Sequence, residues 1–257
     1  MLKTEFRRVR LAFTFLTTFP LPDVKKIKEN DLAKGLRYAP LIGLFIGTIM
    51  LYVWALASFL QIRFVASLLV VLAYVLISGG LHLDGMADTC DGVFSNRSRE
   101  RVLEIMRDSH IGTNGVIGLV FVILFYWVSI ANLPFFFAQN AVIPLLLMPV
   151  AGRIGSVVAS GMSRYARETE GLGKNFVEQL TIVDAAIGAA SGLVIFLLVG
   201  GLKGLILFVL VILSTSIAIL FFKRRLGGVT GDTLGAICEF NQVVFLFGSL
   251  ILINIWK

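Results

Sequence analysis

Long apolar runs alternate with short polar segments along the chain, and these runs determine the predicted architecture. A transmembrane helix needs about 20 mostly apolar residues. The apolar run at residues 135–151 contains Pro144 and Pro149, so we expect a kinked helix there. The pattern predicts an all-α polytopic membrane bundle that occupies residues 1–257 as a single domain. Seven runs approach the required length, at residues 41–60, 64–80, 115–131, 135–151, 182–199, 205–222 and 242–256.

The N-terminal segment has a different pattern. Basic residues precede a short apolar run at residues 11–19, which ends in Pro20-Leu21-Pro22 rather than in a small-residue cleavage site. We therefore predict a retained amphipathic helix at the membrane surface and no cleaved targeting peptide.

Composition agrees with a membrane protein. Hydrophobic residues make up 57% of the chain, charged residues make up 15%, and the mean hydropathy is +0.89. Soluble domains have about 45–50% apolar and about 25% charged residues. The net charge of +7 does not indicate a nucleic-acid partner, because the basic residues lie between the apolar runs rather than on one soluble face. Cys90 and Cys238 are too few and too far apart for a disulfide framework.

The basic residues predict the orientation. All 23 Lys and Arg residues except Arg63, Lys203 and Lys257 fall in alternate segments that share one side of the bundle. Because Lys and Arg accumulate in cytoplasmic loops, we predict a multi-pass protein of the cytoplasmic (inner) membrane with its N-terminus inside and its C-terminus outside.

The acidic residues indicate the class of function. All 16 lie in the same predicted cytoplasmic segments or at their edges. A metal-ion transporter needs polar groups through the bilayer midplane, and the apolar runs have almost none there. The distribution favours a membrane enzyme with a cytoplasmic active site over a transporter.

The strongest candidate site lies in residues 81–92. Asp84, Asp88 and Asp91 stand at i, i+4 and i+7, which places them on one stripe of a helix. Three stacked carboxylates repel one another, and a divalent cation removes that repulsion; hard oxygen ligands suit Mg²⁺. A solvated acidic helix end is the alternative interpretation. We predict that the three aspartates bind Mg²⁺ and that Asp108, in the following loop, joins the metal shell or orients an arginine.

A second candidate segment is glycine-rich and covers residues 224–239. Gly228 and Gly231 allow backbone N–H groups to approach an anion such as phosphate. Asp232 and Glu239 are seven residues apart and share a helix face, so we predict that both contribute to the metal site, with Glu239 at the membrane edge. A helix N-cap is the alternative role for Asp232.

Three basic residues are candidate phosphate ligands. Arg107 lies in the arginine-rich loop after the aspartates, and arginine forms bidentate contacts with phosphate. Arg153 lies among small residues, where snorkelling to the interface is the alternative. Lys174 belongs to a polar loop that we expect to cover the substrate. His82 and His110 flank the aspartates, and their pattern fits function and polar capping equally well.

The chain resembles the cobalamin synthase family, the adenosylcobinamide-GDP ribazoletransferases. The Asp-rich element is the most specific part of the likeness, which extends over essentially the whole chain. Cys90 and His110 depart from the family's pattern. The matching motifs lie at residues 15–17, 20–22, 81–92, 104–109, 165–167, 171–173 and 227–234.

The resemblance implies a Mg²⁺-dependent transferase. It would join adenosylcobinamide-GDP to α-ribazole, or to α-ribazole 5′-phosphate, and release GMP. We expect the ribose 3′-hydroxyl to attack the cobinamide-linked phosphorus, with Asp84, Asp88, Asp91 and Asp108 as the catalytic carboxylates and Asp91 or Asp108 as the proton acceptor. The lipid bilayer is the expected partner, and a homo-oligomer is compatible with the sequence. A phospholipid-headgroup transferase like the CDP-alcohol phosphotransferases remains the first alternative, and a metal-ion transporter the second.

Overall fold

Helices account for nearly all of the structure, a computed structural model that describes residues 2–22, 27–28, 30–135, 139–168 and 171–255. Short 3₁₀ segments precede and follow α3. Within the described ranges the only strand-like pairing is one bridge between Tyr165 and Val229. The predicted all-α fold is confirmed. The helices are α1 (Leu2–Leu16), α2 (Asp31–Gly35), α3 (Ala39–Ala57), α4 (Arg63–Ser78), α5 (Leu81–Val93), α6 (Arg99–Ile105), α7 (Thr113–Ala131), α8 (Gln139–Met162), α9 (Leu172–Gln179), α10 (Ile182–Leu226) and α11 (Gly231–Ile255).

Several helices are able to cross a membrane, so the chain is a membrane protein. In the described ranges, five are long and apolar enough: one that includes α3, and α7, α8, α10 and α11. The pair α4 and α5 is a sixth candidate, although the chain bends by 91° between the two helices. The seven predicted runs fall on these elements, because α4 contains most of the second run and α10 contains both the fifth and the sixth.

Helix α10 contains a reversal of chain direction at Gly201. This residue has φ 53° and ψ −130°, which are not helical values. The rings of Phe196 and Phe208 are 5.9 Å apart, whereas a straight helix would separate these positions by about 18 Å. Gly204 also lies directly against the Phe196 carbonyl group. The two predicted runs are therefore the two antiparallel arms of α10.

The structure corrects the bounds of two predicted spans. Helix α8 continues to Met162 rather than ending near residue 151, so Arg153 lies inside a helix. Helix α11 starts at Gly231, well before the predicted residue 242. Its first half carries polar side chains that face other helices; Asn241, for example, donates to the Thr215 hydroxyl at 2.9 Å. Hydropathy alone misses such a segment because its polar groups are paired inside the bundle.

Helix α8 is at the centre of the bundle. It packs against α3, α10 and α11, and the residues along its middle are buried. Large apolar side chains on the outer helices, such as Phe121 and Leu198, are exposed on the outside of the bundle. That distribution suits lipid, which solvates apolar side chains as well as a protein core does.

The two ends of the bundle differ in chemistry. At one end, Arg37 bonds to Glu5 of α1 and to Asp184 of α10, the latter at 3.1 Å. Helices α1, α2, α5, α6 and α9 gather at this end, which holds the described part of the predicted cytoplasmic segments. At the other end of the bundle, the turns contact one another through uncharged groups. Trp127 Nε1, for example, donates a hydrogen bond to the Phe64 carbonyl oxygen at 2.8 Å.

Candidate active site

A cavity of about 360 Å³ opens at the charged end of the bundle. It lies between α1, α5, α8, α9 and the start of α11. One part of its wall is apolar, formed by Phe15, Leu16, Leu36, Val157, Phe176 and Leu234. The other part is polar and charged, formed chiefly by His82, Asp84, Arg107, Arg153, Arg167 and Asp232.

Helix α5 brings its aspartates to this cavity. Gly79 and Gly80 have φ values of 63° and 69°, which permit the sharp turn between α4 and α5 at little steric cost. A Cβ atom at Gly85 would lie 2.6 Å from the Asp232 carbonyl oxygen, so only glycine lets α5 approach α11 this closely. Two segments that are far apart in sequence thus meet at one acidic surface.

Asp84, Asp88 and Asp232 form this surface, which we call the acidic cluster. Asp84 is exposed and Asp88 is half-buried. The pKa of the Asp88 carboxyl is raised to about 7, chiefly because burial disfavours its charged form. The charges of Asp84 and Asp232, and more weakly that of Asp91, contribute to the same shift. The cluster therefore concentrates negative charge that a cation would stabilise.

Two threonine hydroxyl groups cap the N-terminus of α11. Thr230 and Thr233 cap the helix reciprocally, each accepting a hydrogen bond from the other's backbone N–H, at 2.7 and 3.2 Å. Asp232 is consequently not needed as the cap. Its carboxylate accepts a hydrogen bond from Arg167 Nη2 at 2.8 Å. A helix N-terminus and an arginine together favour an anion at this wall of the cavity.

Known proteins resemble this chain over nearly its full length. The family model for cobalamin-5-phosphate synthase matches residues 8–250. The chain belongs to the cobalamin-5-phosphate synthase family. The adenosylcobinamide-GDP ribazoletransferases of Clostridium acetobutylicum and Acetivibrio thermocellus are both 43% identical to it, over 94% and 93% of this chain and 94% and 96% of their own lengths. That of Alkaliphilus oremlandii is 37% identical, over 95% of this chain and 97% of its own length. No solved structure matches the chain.

The predicted resemblance is thus confirmed, and the predicted site residues of this cobalamin-5-phosphate synthase family member can be located. Asp84, Asp232, Arg107, Arg153 and Gly231 line the cavity. Asp88 lies beside them in the acidic cluster. The structure brings these six positions together from the helices α5, α8 and α11 and the loop after α6.

Asp91 holds α7 in place. Its carboxylate accepts hydrogen bonds from the backbone N–H groups of Gly112 at 2.7 Å and Gly115 at 2.8 Å. Both oxygens thus satisfy amide groups at the N-terminus of α7, where a negative charge is also favoured by the helix dipole. The observed contacts give Asp91 a structural role. Its role as a metal ligand is untested and stays a prediction.

Asp108 lies on the exposed surface of the protein. Its Oδ1 atom is 2.7 Å from His110 Nδ1 and accepts from the His110 backbone N–H at 3.0 Å. These hydrogen bonds lower the pKa of Asp108. Among the described residues that line the cavity Asp108 does not appear, so its predicted place in the metal shell has no structural support.

Glu239 lies inside the helical bundle, whereas the sequence predicted it at the edge of an apolar run. It is fully buried, about two turns beyond Asp232 in α11. Its Oε1 atom accepts a hydrogen bond from Tyr74 at 2.6 Å, and its Oε2 atom accepts one from Tyr126 at 2.7 Å. Arg153 is also buried, at 1% exposed, within a helix that was predicted to end before it.

Two sets of residues in this protein can be compared as metal sites. In the described part of the chain, only His82, Cys238 and Glu239 form a group of three whose ligand atoms all lie within 4.8 Å of one another. Both oxygens of Glu239 are engaged, however, and the charge of Arg153 acts on His82, which disfavours a cation there. The carboxylate oxygens of the acidic cluster do not all lie within 4.8 Å of one another, but they are the ligands that Mg²⁺ prefers.

Two predicted phosphate ligands lie elsewhere. Gly228 is buried, and a Cβ atom there would clash with the Arg164 carbonyl oxygen, so this glycine serves the packing of two loops. Lys174 is half-buried in the first turn of α9 and is not among the described residues that line the cavity; its neighbour Gly173 is. The glycine-rich segment therefore contributes Gly231 to the site and not Gly228.

Sequence reasoning missed several residues of the site. Arg167 pairs with Asp232, and Tyr74, Tyr126 and Gln242 surround Glu239. A sequence signal existed for Gln242, because it follows Glu239 by three residues and so shares its helix face. The two tyrosines lie in apolar runs and look like ordinary membrane aromatic residues.

Proposed function

We propose that this protein is an adenosylcobinamide-GDP ribazoletransferase. It joins adenosylcobinamide-GDP to α-ribazole, or to α-ribazole 5′-phosphate, with release of GMP. The observation that carries the proposal is a single cavity with an acidic cluster, three arginines and an apolar wall, in a chain that matches the cobalamin-5-phosphate synthase family over residues 8–250.

The transfer replaces the phosphoanhydride bond of the donor with a phosphate ester bond to the acceptor. The ribose 3′-hydroxyl oxygen forms a bond to the cobinamide-linked phosphorus while the bond from that phosphorus to the GMP oxygen breaks. The hydroxyl proton goes to a carboxylate. Asp84 and Asp232 are better placed for this than Asp91 and Asp108, because they are the carboxylates among the described residues that line the cavity.

The acidic cluster suits a Mg²⁺ ion. Asp84, Asp88 and Asp232 would hold it, since burial and the neighbouring charges of Asp84 and Asp232 raise the pKa of Asp88 and leave negative charge that a cation would neutralise. When bound, Mg²⁺ neutralises charge on diphosphate oxygens. The protein's own residues bind and orient the substrates around it. Arg107, Arg153, Arg167 and the helix N-terminus at Gly231 attract phosphate groups, and the apolar wall excludes water that would hydrolyse the donor.

The site faces the cytoplasm in this proposal. Support comes from the concentration of basic residues in the segments that gather at the cavity end of the bundle. The nucleotide-activated donor is a cytoplasmic type of substrate, which agrees with this orientation.

The test is a comparison of two donors with the purified full-length protein in Mg²⁺ buffer. One reaction contains adenosylcobinamide-GDP and α-ribazole, and the other contains a CDP-activated lipid and its alcohol. We expect GMP release in the first and no CMP release in the second. CMP release together with an inert cobinamide donor would replace the proposal with a phospholipid-headgroup transferase.

A further inference from the structure

Arg153 has one edge of its guanidinium group without a partner among the described residues. It is 1% exposed, and it lies inside α8 as part of the cavity wall. Its Nε and Nη2 atoms are buried and make no hydrogen bond to any described residue. These two atoms form the edge with which arginine binds a phosphate or carboxylate in a bidentate way. A buried donor pair of this kind points to a ligand, because buried polar groups are nearly always satisfied.

The opposite side of the guanidinium is held by a chain of polar side chains. Nη1 donates weakly to Gln242 Oε1 at 3.5 Å, and Cζ is 5.8 Å from the centre of the Tyr74 ring. Gln242 Nε2 in turn donates to the Tyr74 hydroxyl at 2.8 Å, and that hydroxyl donates to Glu239 at 2.6 Å. Glu239 thus supplies the negative charge that a buried arginine needs, at a distance that leaves the Nε–Nη2 edge unpaired.

A second unpaired group lies in the same part of the wall. His82 lines the cavity, and its buried Nδ1 atom has no partner among the described residues. Arg153 is close enough for its charge to act on the His82 imidazole. Two buried groups that lack partners and share one cavity wall make a more specific site than either alone.

The position of this wall indicates which substrate it meets. The cavity volume of about 360 Å³ is near the lower end of the range of about 300–1,000 Å³ found for small-ligand pockets. It therefore suits the nucleoside-sized acceptor and not the corrinoid donor. Phe15, Leu36 and Phe176 offer an apolar surface for an aromatic base. Asp84, in contrast, is exposed at the outside of the site, where the donor's diphosphate and a metal ion are accessible.

We propose, resting on the transferase function above, that Arg153 and His82 form a subsite for the 5′-phosphate of the acceptor. Glu239, Tyr74 and Gln242 are positioning residues that hold Arg153, and Glu239 acts through this chain rather than as a metal ligand. The subsite gives the enzyme a preference for α-ribazole 5′-phosphate over α-ribazole. The donor diphosphate has the same phosphate chemistry, so the experiment separates the two sources.

Steady-state kinetics of the full-length protein with each acceptor tests the subsite. For the wild type we expect a KM for α-ribazole 5′-phosphate about 10- to 100-fold below that for α-ribazole, the range expected for a charge-assisted bidentate contact. Arg153→Gln should abolish this ratio and leave the donor KM unchanged. Arg153→Lys should restore part of it. Arg101→Gln is the matched control, because Arg101 is exposed and pairs with Glu104 at 2.7 Å outside the cavity.

Glu239→Gln and Tyr74→Phe test the positioning chain. Both should raise the KM for the phosphorylated acceptor while kcat and the Mg²⁺ concentration for half-maximal activity stay constant. A shift in the Mg²⁺ requirement of Glu239→Gln would instead make Glu239 a metal ligand and overturn its proposed role. A raised donor KM in Arg153→Gln would assign the arginine to the diphosphate and overturn the acceptor subsite.

Direct binding keeps the subsite testable apart from turnover. Calorimetry with α-ribazole 5′-phosphate should show at least about tenfold weaker binding to Arg153→Gln, or to Arg153→Lys where the first variant does not fold, than to the wild type. Equal binding would overturn the subsite. An absence of GMP release from the wild type, with this binding difference intact, would contradict the transferase function and leave the anion subsite supported.

Discussion

At the scale of single residues, the acidic cluster is a set of carboxylates that repel one another, and a bound cation would remove that repulsion. Asp88 shows this most clearly, since its pKa is raised to about 7 by burial and by the charges of Asp84 and Asp232. A proton and a metal ion therefore compete for the Asp88 carboxylate near neutral pH.

This competition sets the pH dependence of metal binding. Below pH 7 Asp88 is protonated and binds a cation poorly, and above pH 7 it is ionised. We expect the apparent Mg²⁺ affinity, measured by activation at several Mg²⁺ concentrations, to rise about tenfold between pH 6 and pH 8. Asp88→Asn should weaken Mg²⁺ binding and remove this dependence. A wild-type affinity that is flat over this range would show that Asp88 does not ligate the metal.

A substitution at Asp91 tests whether all three aspartates of α5 bind the metal. Because its carboxylate caps α7, we expect Asp91→Ala to lower the free energy of unfolding by about 1–2 kcal/mol and to leave Mg²⁺ affinity unchanged. Chemical unfolding in detergent measures the first effect and Mg²⁺ activation the second. Asp108→Ala, at an exposed position, is the control and should not lower stability. Weaker Mg²⁺ binding at unchanged stability in Asp91→Ala would restore its predicted metal role.

The spacing of the aspartates predicted part of this arrangement. Helical periodicity placed Asp84 and Asp88 on one face of α5, and the structure has them there. Periodicity does not show what lies opposite a face, however. Asp232 belongs to the cluster because α5 packs against α11, and the Asp91 carboxylate instead bonds to the N-terminus of α7. Both contacts join segments that are distant in sequence. The burial of Glu239 is not predictable for the same reason, since only packing brings two tyrosine hydroxyls within hydrogen-bond distance of its carboxylate.

At the scale of helices, the reversal within α10 depends on one backbone conformation. Gly201 has a positive φ combined with a negative ψ, a region almost restricted to glycine, and its neighbour Gly200 is helical. Hydropathy predicted two spans here, and it did so correctly because a short polar interruption at Lys203 separates two apolar runs. It failed for α11, whose first half is polar toward the bundle interior.

Two adjacent glycine substitutions test the reversal. We expect Gly201→Ala to lower the free energy of unfolding by about 1–3 kcal/mol, because a Cβ atom is strained at this φ and ψ although no atom lies within 4 Å of it. Gly200→Ala should be nearly neutral, since its Cβ would meet only ordinary contacts of 3.8–3.9 Å. Chemical unfolding in detergent compares the two variants. Equal stability would argue against the observed backbone at Gly201.

At the scale of the whole molecule, the bundle has one charged end and one nearly uncharged end. Sequence predicted this asymmetry from the basic residues alone, and the structure brings the corresponding segments together around the cavity. The cavity itself was not predictable from the chain pattern, because its wall combines side chains from α1, α5, α8, α9 and α11 whose proximity depends on helix packing.

Membrane orientation is the global property that this asymmetry implies. We expect reporter fusions at Asn132 and Gly201 to be external and a fusion at Arg97 to be internal, because basic segments are retained in the cytoplasm. Enzymatic reporters active on only one side of the membrane provide the measurement. An internal signal from the Asn132 fusion would reverse the orientation and place the cavity outside the cell.

The acidic cluster in this cavity is proposed to support transfer to α-ribazole and not hydrolysis. The most direct measurement is the rate of GMP release from adenosylcobinamide-GDP, with and without α-ribazole, by the wild type and by Asp84→Asn. We expect release by the wild type only when the acceptor is present. The Asp84→Asn rate should fall by more than about 100-fold, since even groups that only support a metal ligand are worth about 10- to 100-fold. GMP release that is independent of α-ribazole, or an Asp84→Asn variant as fast as the wild type, would contradict the claim.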